Sequence, residues 1–515
     1  MTTVTAPPAT STWSLAAESF LPVARRARAR SVIPHLPLGL VLVLQAVASL
    51  RLDNSLFSDE ALYIYTGRWI LSSWSGGPDV YIEPETFFSG APQLYPVFAG
   101  LLDMVGGHTL VRLFSTMCML SASIAVYWLT NQLFPAGRGG RRAGLFAAVV
   151  FAISPPVLFL GNFATFDAPS FALLAWAAAV GVWSARERKS LGWSVLVGLL
   201  ASLAVGIKYA SAVDVPFVLL VGLMSAWHIR AHRSRTLLRA VVAGVTCSVL
   251  IGISVLSWAA PLLSGLGTTT TDRAVSASSS YLALVQDVVV WSGPTLALCL
   301  LGGLALLKRR PGLALLLLGA TLIAVVYQIG MQERTSLHKH IVLGLIFGTP
   351  LAGAFLARIS RLRFGLVAAA VALWGSFLYG LGQSEELYTD WPETRDLASV
   401  IDYSIEAMPW IRMLGESPEP LQHAFRATTE PWQWTATYEG SFEYRGLSGT
   451  EAYVAALADN HFQLAFLDGS SVIGVELIPQ MESLGFELTS TVRTPGTSWP
   501  GHAWYVYQRF DDIPG

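Results

Sequence analysis

Charge is scarce in this chain. Asp, Glu, Lys and Arg make up 13% of its 515 residues, about half the share usual in soluble proteins, and a soluble enzyme is thereby excluded. Cysteine is scarcer still: Cys118, Cys247 and Cys299 are the three present, and all fall inside apolar runs. That excludes a disulfide framework and a closely spaced thiolate metal site. The sequence has no low-complexity tract and no internal repeat of the kind that marks many secondary transporters. It also lacks a basic face that could grip nucleic acid, because its positive charge comes in short clusters between apolar segments.

What the chain does have is apolar length. Hydrophobic residues make up 53% of it, the mean hydropathy is +0.52, and the long runs extend over residues 33 to 381. A helix crossing a bilayer needs ~20 mainly apolar residues. On that basis spans are predicted at 33–50, 110–134, 143–160, 168–184, 191–207, 212–229, 240–260, 285–307, 312–330, 341–357 and 365–381, about eleven in all. The 91–106 stretch reads as a re-entrant or interfacial helix. Residues 1–32 carry the basic cluster Arg25, Arg26, Arg28 and Arg30 with no cleavage site after it, so the first span is expected to be an uncleaved anchor.

The near-neutral net charge of −1 hides a division. Residues 1–381 hold 27 basic against 14 acidic residues, whereas 382–515 hold 6 against 20. Of the 27, 20 lie in the segments 25–30, 138–142, 186–189, 230–239, 308–310 and 358–363, which alternate with the remaining loops. By the positive-inside rule these are cytoplasmic, with the N-terminus. Nearly all acids of the membrane half lie on the opposite side: Asp53, Asp59, Glu60, Asp79, Glu83, Glu85, Asp167, Asp272 and Glu333. An odd number of spans then delivers 382–515 to the extracytoplasmic side. There, helical stretches at 393–407 and 450–459 mix with strand-like runs at 462–467, 486–493 and 502–509, which predicts a small α/β domain.

The first outer loop, 51–109, opens with Ser58-Asp59-Glu60 at the head of an amphipathic stretch. Ser58 or Asp59 can cap that helix, and acids are favoured at a helix N-terminus. A second outer loop carries Thr165-Phe166-Asp167-Ala168-Pro169, where Asp167 is again a possible cap. Ionisable groups at membrane depth are nonetheless costly and are functional candidates by default, and two loops bring carboxylates to one face. Cations on that face are few, which singles out Lys208, Arg334 and Lys339 as partners for an anionic group, although Arg334 and Lys339 can equally be snorkelling at a helix end. His338 and His340 alternate in the same segment. A divalent metal is a candidate cofactor, with Asp59, Asp167 and His338 as ligands. Trp432, Trp434 and Tyr438 present aromatic faces of the kind that stack on sugar rings, and of the kind that fill cores.

These motifs, in this order, resemble the lipid-dependent glycosyltransferases of the GT-C class, in the branch of the protein O-mannosyltransferases and the aminoarabinose transferases of lipid A (family 39-like). The likeness rests on Asp59-Glu60, then Pro92-Gln93-Leu94-Tyr95-Pro96, Val111-Arg112-Leu113-Phe114-Ser115, Thr165-Phe166-Asp167-Ala168-Pro169 and Gly206-Ile207-Lys208-Tyr209. It implies a polytopic helical membrane enzyme that moves one sugar, with inversion, from a polyprenyl-phosphate donor to a hydroxyl acceptor on the outer face. The acceptor class stays open among glycan, protein, lipid and natural product. The resemblance implies Asp59 as general base with Glu60 in support, and Asp167 orienting the acceptor or holding a metal. A lipid-phosphate leaving group needs fixed positive charge, and the scarcity of cations on this face points to Lys208, which the resemblance also supports, and to Arg334, Lys339 and His340 around the donor phosphate. Ring stacking makes Trp432, Trp434 and Tyr438 candidates for the acceptor.

Two positions depart from the pattern. The Glu-Lys-Pro-Pro element of the aminoarabinose transferases is replaced by Gly90-Ala91-Pro92-Gln93, and an Arg-Tyr before a late span by Lys339-His340. The rival reading is a transporter or lipid flippase with an outward-facing acidic site. Against it, Asp103, Arg112, Asp214 and Asp287 all fall near predicted span ends.

Overall fold

In the computed structural model the described residues are 36–77, 88–134, 138–186, 190–227, 233–257, 267, 279–437, 442–494 and 502–509. The basic cluster 25–30, Asp79, Glu83, Glu85, Asp272, Arg273 and Tyr438 lie outside them. The membrane portion is built from α1 (Leu36–Leu50), α2 (Ser58–Trp74), α3 (Tyr95–Leu133), α4 (Arg138–Ala152), α5 (Pro155–Leu160), α6 (Asp167–Arg186) and α7 (Gly192–Ile207). A 3-10 turn, Tyr209–Asp214, leads into α8 (Val215–Ala226), followed by α9 (Arg233–Ser257), α10 (Tyr281–Leu307), α11 (Pro311–Gly330), α12 (Leu337–Ile359) and α13 (Gly365–Tyr388).

Among the described residues each apolar segment expected to span is helical over most of its length, although 143–160 is divided between α4 and α5 at Ile153 and Ser154. Among the described residues eight helices are long and apolar enough to cross a membrane: α3, α6, the turn with α8, and α9 to α13. The expected count of eleven also leans on α1, α4 and α7, which have 15, 15 and 16 residues and fall short of the ~20 that a bilayer core requires. The 91–106 stretch enters the first limb of α3, which breaks at Gly106 and Gly107, the latter at φ 66°. A left-handed backbone of that kind is open to glycine at little cost.

α6 and α12 are enclosed on almost every side, whereas α9 and α13 form the perimeter. On α9, Val241, Val245, Val249 and Ile253 face outward, and on α13, Val367, Val371, Trp374 and Leu378 do so. Apolar stripes at i, i+4 spacing left open on the surface belong against lipid rather than water. α2 lies tightly on α3. A Cβ added at Gly67 would sit 1.7 Å from the Pro96 carbonyl oxygen, and one at Gly100 would sit 2.6 Å from the Arg68 amide nitrogen.

After α13 comes the predicted small α/β domain: α14 (Arg395–Ala407), β1 (Met413–Gly415), α15 (Glu419–Ala424), β2 (Trp434–Ala436), α16 (Gly449–Ala458), β3 (Leu464–Leu467), α17 (Val472–Leu477), β4 (Glu487–Arg493) and β5 (Ala503–Gln508). Its sheet runs β2-β1-β3-β5-β4, parallel among the first three and antiparallel around β5. Apolar side chains pack on both faces. The domain holds the loop leading into α2. Trp391 Nε1 donates to the Ser55 carbonyl at 3.1 Å, Asn54 Nδ2 donates to the Tyr388 carbonyl at 3.0 Å, and Phe57 packs edge-on against Trp391. Asp103 on α3 draws in Arg68, His423 and Arg426, the last two from the small domain.

Candidate active site

α2 begins at Ser58, and its N-cap is Phe57 rather than either of the expected residues. The capping is done by Glu60, whose carboxylate accepts the Phe57 N–H at 3.0 Å. The same fully buried carboxylate accepts the Ala164 N–H at 2.6 Å and is gripped by Arg112, Nε at 3.0 Å and Nη2 at 2.7 Å. Arg112 also donates to the Asn54 and Ser55 carbonyls. Every lone pair worth using on Glu60 is thereby committed, and a bidentate arginine fixes its plane. Glu60 staples α2, the loop before α6 and α3 together. Its neighbour Asp59 is consequently held in a fixed place.

Asp59 itself is open, with 41% of its side chain exposed. Lys339 Nζ donates to it at 3.2 Å across 280 residues of sequence. Lys339 is in the first turn of α12, and its ammonium lies over the Phe163 ring at 4.9 Å and the Phe57 ring at 5.9 Å, where aromatic faces favour a cation. The turn that presents it is tight. Gln332 and Ser336 have φ of 54° and 62°, and Gln328 Nε2 donates to the Thr335 carbonyl at 2.9 Å.

Asp167 starts α6 and is buried completely. Lys208 Nζ donates to one oxygen at 2.6 Å and Thr165 Oγ1 to the other at 2.7 Å. Lys208, between α7 and the 3-10 turn, is almost as enclosed and lies over Phe166 at 4.8 Å. The charges of Lys208 and Lys339 both act on Asp167, and that of Asp59 acts on Lys208. The four groups therefore form one electrostatic cluster at the starting end of the two most enclosed helices. His340, half-buried on α12, is within reach of the same charges.

The remaining candidates are engaged elsewhere, although His338 also lies within reach of the charges of Lys339, Asp167 and Lys208. Arg334 is 56% exposed and paired with Asp287 at 2.7 Å, so its charge is spent on α10. His338 is wedged edge-on between Phe159 and Trp291. Among the described residues no group of three His, Cys, Asp or Glu side chains could hold a metal, which corrects the set Asp59, Asp167 and His338. The physical reason is that ammonium groups already stand where a cation would, Lys339 on Asp59 and Lys208 on Asp167. Nor can Asp167 touch an acceptor directly while it is enclosed. Trp434 is core, its Nε1 donating to Thr429 Oγ1 at 3.0 Å, so stacking on a sugar is excluded for it in this arrangement. Trp432 is 45% exposed and covered on one face by Arg412 at 5.4 Å.

Several working partners escaped the sequence reading. Thr165 and Arg112 stood in quoted motifs, but nothing in the spacing tied them to Asp167 and Glu60. The rings of Phe57 and Phe163 read simply as apolar. Asp214, at the end of the 3-10 turn, is buried with neither carboxylate oxygen hydrogen-bonded among the described residues.

The sequence profile of the dolichyl-phosphate-mannose-protein mannosyltransferases matches residues 92–258, a stretch that contains Asp167 and Lys208. Among solved structures, ArnT from Cupriavidus metallidurans in the apo state superposes with a TM-score of 0.60 at 16% identity, over 95% of this chain and 99% of that one. The same protein bound to undecaprenyl phosphate gives 0.59 at 15% identity, over 93% and 98%. The oligosaccharyltransferase of Archaeoglobus fulgidus in the apo form gives 0.55 at 13%, over 87% and 71%. No curated protein matches the chain in sequence. The resemblance to the GT-C glycosyltransferases is borne out, and the fold, membrane helices with a small C-terminal sheet domain, is ArnT-like.

Proposed function

We propose that this protein is an integral-membrane glycosyltransferase that takes one sugar from a polyprenyl-phosphate carrier and passes it, with inversion, to a hydroxyl on the extracytoplasmic face. The observation that carries the proposal is the Asp59–Lys339 pair, a reachable carboxylate beside an ammonium at one end of the helix bundle. The likeness to ArnT bound to undecaprenyl phosphate supports a lipid-phosphate donor. The loops flanking the carboxylates are poor in Lys and Arg, and that supports the outward orientation.

The chemistry follows from the charges. In the resting cluster two carboxylates balance two ammonium groups. A sugar phosphodiester brings one more negative charge, and Lys339 turns from Asp59 to a phosphate oxygen. Asp59, released, accepts the proton of the acceptor hydroxyl as its oxygen attacks the anomeric carbon. The anomeric C–O bond to phosphate breaks on the opposite side, which inverts the centre. The electron pair leaves on polyprenyl phosphate, where Lys339 directly and Lys208 through space stabilise the added charge. Protonation of Asp59 offsets the charge gained by the leaving group. Lys208 and Asp167 hold the floor of the site, and His340 is placed to contact the phosphate.

The test uses the full-length protein in lipid nanodiscs with a polyprenyl-phosphate sugar and a panel of hydroxyl acceptors. Release of polyprenyl phosphate that vanishes in Asp59→Asn, with the melting temperature kept, supports the proposal. Undiminished release in that variant, or vectorial transport without cleavage, overturns it.

A further inference from the structure

The opposite end of the bundle has a site of its own. A cavity of about 320 Å³ opens between the ends of α3, α10 and α12, its lining residues on α12, Ala354 to Arg358, standing about 23–29 Å along the helix from Lys339 at 1.5 Å per residue. Its walls are apolar, with Phe134, Leu306 and Phe355 the largest side chains, and Arg309, Arg358 and Arg361 stand around it. None of these three guanidinium groups makes a hydrogen bond or ion pair among the described residues, whereas the adjacent Arg310 donates to the Leu133 carbonyl at 3.2 Å. At the carboxylate end, by contrast, Arg51, Arg68, Arg112, Lys208, Arg334 and Lys339 each have a carboxylate partner.

All three arginines are exposed, so water and salt screen part of their mutual repulsion, and an anion seated between them relieves the rest. We propose that this cavity binds the head of an anionic phospholipid of the adjoining leaflet, its phosphate among Arg309, Arg358 and Arg361 and the first part of an acyl chain against Phe134, Leu306 and Phe355. The lining reaches from Arg309 back to Gly302 on α10, about 10 Å of helix, which is the depth from a headgroup to the top of its chains. Basic pockets between membrane helices suit such headgroups. A free phosphate ion satisfies the arginines but leaves the apolar wall against water. Ordinary placement of arginines at helix C-termini accounts for their sign but not for the cavity between them.

The experiment is native mass spectrometry of the delipidated full-length protein, titrated separately with phosphatidylglycerol, phosphatidylcholine and inorganic phosphate. The expected result is a one-to-one phosphatidylglycerol adduct, weak binding of phosphatidylcholine and no competition by phosphate at equal concentration. Replacing all three arginines by Gln should weaken the adduct roughly a hundredfold, from about one fivefold step per charge near the surface. If that variant does not fold, Arg361→Gln alone should weaken it about fivefold, and Ala305→Phe, which keeps the charges and fills the cavity, should abolish it. Equal binding of the two lipids, displacement by inorganic phosphate, or an adduct unchanged in these variants would overturn the proposal.

Discussion

Two aspartates of this protein each face a lysine, and they do different work. Asp59 is 41% exposed and 3.2 Å from Lys339, whereas Asp167 is sealed with Lys208 at 2.6 Å and a threonine hydroxyl on its other oxygen. A carboxylate in the first situation can let its lysine go and receive a proton. One in the second has no spare lone-pair direction, and uncovering it exposes two charges to a low dielectric. The open pair is suited to turnover and the closed pair to holding α6 and the loop before α8 in register.

That division can be attacked experimentally. The largest effect is expected for Asp59→Asn, a loss of about 10²–10⁴-fold in turnover, the usual weight of a general base, with thermal unfolding in detergent little changed. Lys208→Met leaves Asp167 buried without its counter-charge and should cost about 3–5 kcal/mol of stability, read as a fall in unfolding temperature. Adding Asp167→Leu to it should recover much of the loss. If Lys208→Met keeps full stability and loses only turnover, the through-space action of Lys208 on the leaving phosphate outweighs its part in holding the fold.

Lys339→Gln is expected to be milder. Losing one charged hydrogen bond of about 1.5–3 kcal/mol, made to the bound phosphodiester and strengthened on the leaving phosphate, should lower kcat/KM for the donor roughly 10- to 100-fold, through kcat as well as KM, and flatten its salt dependence. The smallest effect concerns the strut between the small domain and α3. Burial holds the His423 imidazole below its ordinary 6.5 despite the Asp103 carboxylate, with Arg426 and Arg68 also facing it. Its folded value is lowered, so the unfolded chain binds the proton more readily and stability is lost as pH falls below about 6.5, at no more than about 1.4 kcal/mol per pH unit. Limited proteolysis between α13 and α14 at pH 7.5 and 5.5 checks this, and His423→Gln should remove the difference.

Much of the architecture was legible in the chain. The apolar runs located the helices because a bilayer leaves backbone groups no partner but their own helix. Strand-like runs located β3, β4 and β5: β4 and β5 are rich in β-branched or aromatic residues, whereas β3 is a short, wholly apolar run buried on both faces. The three-residue strands β1 and β2 escaped, being too short for any alternation to register, and so did the short helices α15 and α17. Of the candidate site, Asp59 and Asp167 stood out because two loops bring carboxylates to one face at membrane depth, and Lys208 and Lys339 since cations are few on that face. Arg334 stood out for the same reason yet is matched to Asp287, and Trp434 was a sugar-binding candidate that turns out to be core.

What the sequence determined by itself is which segments are apolar enough to be helices in lipid and which polar residues interrupt them, since both follow from the local cost of removing charge and backbone from water. What the tertiary structure decided is which ion meets which. Asp59 and Lys339 are 280 residues apart, and Asp167 and Lys208 are 41. No periodicity reaches across such distances. Only the packing of α2, α6 and α12 leaves one carboxylate open to a substrate and closes the other.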